Sequence, residues 1–202
     1  MTVLAIVSLL GKGGPVMIPL VVCSVLSLAV ILDRGWFWWR VRSTGAAEAV
    51  LRFAAAGKWD DALEEARGSQ MPLARVLAAG LGQRDGAPAL AMEAAPRDEQ
   101  ARMRRALPVL DTIITLSPLL GLLGTVTGMI AAFGVISTSG IAQPHAITGG
   151  VAEALIATAA GLGIAIATLV PYNYFSTRAE RTLDEVEAQA TRLELLLQGE
   201  RR

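Results

Sequence analysis

The stretch Pro108 to Gly134, PVLDTIITLSPLLGLLGTVTGMIAAFG, limits what this chain can fold into more than any other. It exceeds the roughly 20 apolar residues that carry a helix across a bilayer. Its one ionisable residue, Asp111, stands near its start. A span that only had to sit in lipid would be mostly Leu, Ile and Val. This one carries Gly121, Gly124 and Gly128, with Thr125 and Thr127 between them. Gly121 and Thr125 lie four apart, as do Gly124 and Gly128, which puts small residues on one helical face where another backbone can approach closely. Three more hydroxyls, on Thr112, Thr115 and Ser117, precede that face. A helix of this kind belongs inside a bundle.

A second run, Ile147 to Tyr174, has the same character: ITGGVAEALIATAAGLGIAIATLVPYNY. Ala154, Thr158, Gly161, Ala165 and Thr168 recur at helical spacing as a small, partly hydroxylated face. Glu153 sits near the start of the run. An acid inside a span costs at least about 2.5 kcal/mol, so it must face protein or water. Asp111 admits two readings, a functional carboxylate or an interfacial hydrogen-bonding group. A third run, Val16 to Leu32, holds Pro19 near its start, where neighbouring helices absorb the lost hydrogen bond. It closes on DRGWFWWRVR. There Trp36, Trp38 and Trp39 with Arg40 make an interface anchor, amphipathic rings at headgroup level with cations beyond. The alternative reading of those rings is an aromatic cage for a cation.

The 202 residues are 53% hydrophobic, and 18 Lys/Arg balance 18 Asp/Glu. A zero net charge offers no electrostatic case for a nucleic-acid partner. The single cysteine, Cys23, lies in an apolar run without metal-ligand spacing and reads as a packing residue. The only histidine, His145, falls in a loop, where it is solvated unless it senses pH. No nucleophile stands with a placed base and no acid–base pair marks a pocket, so an enzyme is not expected, nor a cofactor or metal.

The pattern predicts an all-α integral membrane protein with three transmembrane helices and long helical extensions. Its expected parts are an N-terminal interfacial segment (1–15), a first span (16–39), a helical loop (40–106), a second span (107–136), a short connection (137–146), a third span (147–174) and a tail helix (175–202). In the loop, Gly57 is the expected stop of a first short helix, acids open the helix in WDDALEEAR, Gly68 and Pro72 mark a break, and LARVLAAGL is a further helix. In the tail, Leu183, Val186, Ala190, Leu193 and Leu197 recur at helical spacing, a face suited to packing on another subunit. Lys12 alone among the basic residues precedes the first span; twelve lie between the first and second spans, none between the second and third, and five after the third. That bias predicts a cytoplasmic loop and tail, with the N-terminus and the short connection on the other side.

The paired motifs LLGLLGTVTGMIAAFG and GGVAEALIATAAGLGIAIATLVPYNYF resemble the signature of the ExbB/TolQ/MotA family, the ExbB branch most of all. Members are the larger stator subunits of ion-driven motors in bacterial inner membranes. The resemblance implies a homo-oligomeric ring, five copies around two small ExbD-type subunits, each with one span and one membrane aspartate. It further implies a TonB-type energy transducer as partner and a transported proton, with sodium as the alternative ion. Thr125 falls on the threonine of the LLGTV motif and Thr158 on that of EAL-x-x-T-A, which in the family line the pore. Glu153 falls on the glutamate of EAL, as a proton relay or as a subunit-interface hydrogen bond. Gly121, Gly124, Gly128, Gly161 and Ala165 are the expected helix-packing positions. TolQ-like and other motor systems remain alternatives, as does a non-conducting scaffold in which both threonines only tie neighbouring helices together.

Overall fold

The computed structural model describes residues 13–41, 45–69, 71–84, 86, 88–139 and 144–200. The expected N-terminal interfacial segment, up to residue 12, lies outside the described residues, as do positions 140–143 of the short connection and the side chain of His145. Among the described residues the regular structure is entirely helical: α1 (Met17–Arg40), α2 (Ala46–Ala55), α3 (Trp59–Gly68), α4 (Pro72–Gly82), α5 (Pro88–Met103), α6 (Leu107–Ser139) and α7 (Pro144–Glu200). Three of these, α1, α6 and α7, are long and apolar enough to cross a membrane. The protein is therefore an all-helical membrane protein.

Two compact units divide the described residues, one holding those from 13 to Leu32 and Ala106–Asn173, the other those between Asp33 and Arg105 and from Tyr174 to Glu200. In the first, α6 buries a stripe at three- and four-residue spacing: Leu110, Ile113, Ser117, Gly121, Gly124, Gly128 and Ala132. The first unit's part of α7 answers with Ala154, Ala157, Gly161, Ala165 and Thr168. From α1, Met17 and Leu20 close on Ala157. The opposite faces, with Leu122, Ile130 and Phe133 on α6 and Leu155, Ile166 and Val170 on α7, are exposed and apolar, as lipid or another subunit requires. Pro118 and Pro171 sit inside helices that continue through them. α6 runs three residues beyond its expected end at 136, and α7 opens at Pro144, inside the expected connection. A proline in a first helical turn gives up no intrahelical bond, which explains that start.

In the second unit the short helices follow their local signals. α2 ends in a Schellman turn: Gly57 takes φ +70°, its N–H donates to the Ala54 carbonyl at 3.0 Å, and the Lys58 N–H donates to the Phe53 carbonyl at 2.9 Å. α3 opens with Asp60 and Asp61 and closes near Arg67, complementing its dipole. α4 begins on Pro72 and buries Leu73, Val76, Leu77, Gly80 and Leu81, one apolar face. These helices, with Met92 of α5, pack on Val186, Ala190, Leu193 and Leu197 of α7. The tail's periodic apolar face is thus covered within the chain itself.

Candidate ion pathway

α6 and α7 approach to backbone contact. A Cβ at Gly121 would stand 3.0 Å from the Thr158 Cα and 3.1 Å from the Ala157 carbonyl oxygen. At Gly161 it would overlap the Ser117 carbonyl oxygen, and at Gly124 the Ala157 methyl. Gly128 faces Ala154 and the Gly150 carbonyl oxygen, both at 3.0 Å from the same hypothetical atom. Ala165 continues the buried line on α7. The small-residue spacing therefore lies along one helix–helix seam.

The two threonines take different places on that seam. The Thr158 hydroxyl donates to the Gly121 carbonyl at 2.9 Å, a bond from helix to helix. Thr125, one turn further along α6, donates instead to Leu122 of its own helix at 2.6 Å. It borders a shallow cleft of about 530 Å³ whose other walls are Val126, Met129, Ile130 and Phe133. A carbonyl oxygen can only accept, so both hydroxyls have committed their proton. Each has lone pairs left, and toward anything outside the chain each is an acceptor. Thr127 likewise turns back on its own helix, to the Leu123 and Gly124 carbonyls.

Glu153 is partly buried, and its carboxylate lies over the Cα of Gly14, where φ is +71°. A side chain at position 14 would collide with that carboxylate, so the glycine is what admits the acid. Asp111 is exposed, five residues into α6. Of the tryptophans at the end of α1, Trp36 and Trp39 are open, at 57% and 67% exposure, whereas Trp38 is buried and lies under Arg178 at 4.9 Å. Only two of the three expected anchor rings are therefore free to meet headgroups. Arg40 stacks on Trp36 at 5.2 Å.

Two features escaped the sequence. Ser27 of α1 and Thr168 of α7 pair at 2.7 Å in a buried contact. Thr168 donates onward to the Ile164 carbonyl at 2.8 Å, so Ser27 is the donor to Thr168. The Ser117 hydroxyl is fully buried without a hydrogen-bond partner among the described residues. A hydroxyl in an apolar run was the available signal for both, but nothing in the sequence pairs residues 141 positions apart.

Comparison with known proteins adds a second line of evidence. The MotA/TolQ/ExbB proton channel family matches residues 69–188. The putative biopolymer transport protein ExbB-like 1 of Synechocystis sp. is 40% identical over 195 residues, covering 92% of this chain and 76% of that protein. ExbB-like 3 of the same organism is 33% identical over 191 residues, 91% of each chain. The Tol-Pal system protein TolQ of Pseudomonas aeruginosa is 38% identical over 109 residues, covering 54% of this chain and 47% of its own length.

Proposed function

Because this chain belongs to the MotA/TolQ/ExbB proton channel family, we propose that it is the large subunit of an ion-driven motor of the bacterial inner membrane. With an ExbD-type single-span subunit it forms a proton channel that uses the protonmotive force to energise TonB-dependent transport at the outer membrane. The loop and tail are cytoplasmic in this reading, the N-terminus is periplasmic, and the large subunit forms a pentameric ring.

The observation that carries the reading is the state of the two hydroxyls. Thr125 and Thr158 have both given their protons to carbonyls and present acceptors. Asp111 and Glu153, the acids of α6 and of the apolar part of α7, stand toward the ends of those runs. The group that takes up and releases the ion at mid-membrane therefore comes from a partner span. A protonated carboxyl there donates to a threonine oxygen. A charged one costs several kcal/mol more on an apolar face, so loss and gain of the proton drive it between polar and apolar walls. The same lone pairs can coordinate sodium, the alternative ion. The relatives named TolQ favour a second reading, a stator of a Tol-Pal system; the two differ in the partner's periplasmic part.

The test is energy-driven transport in cells lacking the native protein, with a pull-down of the small subunit. The Thr125→Val, Thr158→Val double variant should assemble and lose at least roughly tenfold of the work, on the scale of one lost polar contact. Thr125→Ser, Thr158→Ser, which keeps both oxygens, should retain most of it. Parental work from the valine variant would remove both residues from the pathway and favour the scaffold.

A further inference from the structure

The end of α1 lines a cleft of about 470 Å³, bordered also by Pro72 and Arg75 and by the end of α5. Five arginines and two carboxylates surround it. Both carboxylates are engaged. Asp33 holds Arg34 through two bonds at 2.6 and 3.0 Å, and Glu99 receives Arg75 at 3.4 Å and Arg102 at 3.3 Å. Arg34 is 4% exposed and fixed from a second side, donating to the Arg102 carbonyl at 3.0 Å. Among the described residues Arg40 and Arg105 have no carboxylate partner, and both are exposed. The cleft thus has a wall of paired charges, three guanidinium groups to two carboxylates, and at its mouth Arg105 and Arg40, the latter stacked on Trp36 with its edge N–H groups still available.

A guanidinium fork fits the oxygens of a phosphate. What selects the source of the phosphate is position. The residues Asp33–Arg40 continue, in the same helix, the apolar run that ends at Leu32, and the open ring of Trp36 forms part of the cleft wall. Open tryptophans at the end of an apolar helix sit at headgroup depth. Basic pockets beside spans take anionic headgroups. We propose that this cleft binds the phosphate of an anionic phospholipid through Arg40 and Arg105, with the acyl chains along the apolar face of α1. The proposal uses none of the residues of the candidate ion pathway and does not depend on the chain conducting protons.

The purified full chain, reconstituted in nanodiscs of equal phosphatidylglycerol and phosphatidylcholine and released for native mass spectrometry, should retain phosphatidylglycerol in clear preference. Arg40→Gln, Arg105→Gln should lower that preference by roughly 30-fold, the loss expected of two surface cations. Arg181→Gln, Arg192→Gln removes the same charge from exposed positions of α7 and should leave it unchanged. Equal retention of both lipids by the parent, or parental preference in the Arg40 and Arg105 variant, would overturn the proposal. So would displacement of the lipid by glycerol 3-phosphate at matched concentration, since that places a soluble phosphoester in the site.

Discussion

Glu99 shows how one side chain's surroundings set its chemistry. Only 9% of it is exposed, and it faces Arg75 and Arg102. Burial strips water from the carboxylate and raises its pKa; Arg75 pulls it down, Asp98 pushes it up, and burial prevails. A carboxyl whose folded pKa lies above its unfolded value stabilises the fold below the ordinary carboxylate range and loses that contribution as pH rises through the raised value. Glu99→Gln keeps the shape without the charge. Its melting temperature at pH 7.5 should equal or exceed the parent's, and the two should converge on acidification. A clear loss of stability at pH 7.5 that closes in acid would show that the ionised form is the stabilising one. The sequence shows Glu99 only as one acid in PRDEQARMRR, because an ion pair with Arg75 is a fact of tertiary packing.

At the scale of elements the seam between α6 and α7 gives a matched pair of variants. Gly161→Ala drives a methyl into the Ser117 carbonyl, which is backbone and cannot swing away. The expected cost is about 1–3 kcal/mol, read as lowered resistance to unfolding in detergent. Gly163→Ala, two residues on, meets nothing within 4 Å and should be neutral or gain up to about 1 kcal/mol. Equal tolerance at both positions would mean that the close approach is not what stabilises the pair. The contrast also marks how far a sequence can be read. Three apolar runs, the small-residue period, the Gly57 stop and the helix over LARVLAAGL were legible, because each rests on local chemistry that the packing does not overrule. The form of the break between α5 and α6 was not: the second span was expected from 107, but the chain turns on Ala106 at φ 63°, and alanine carries no signal for that conformation. Trp38 read like its two neighbours, since only the partner Arg178 distinguishes a buried ring from an open one. The candidate pathway was legible as a set of residues. The direction in which each hydroxyl donates was not.

For the whole molecule, the exposed faces are the informative ones. Only 28% of the most apolar window of each span is buried within the chain. The remainder meets lipid or further copies, and the cleft beside Thr125 opens on that side. Under the proposed ring, the mass of the detergent-extracted protein should be that of five copies, and a stable monomer that still works would end that reading. The backbone-to-backbone seam has a mechanical consequence. Where long side chains separate two helices, load is absorbed by rotamers that slide past one another. At Gly121, Gly124 and Gly161 no such cushion exists, because each glycine's Cα faces backbone or a single methyl group of the other helix. The hydrogen bond from Thr158 to Gly121 then pins the pair against slipping lengthwise. A torque applied to α6 in that region reaches α7 with little lost to compliance, so the two spans respond as one stiff plate, and any play in a working assembly belongs to its outer surfaces.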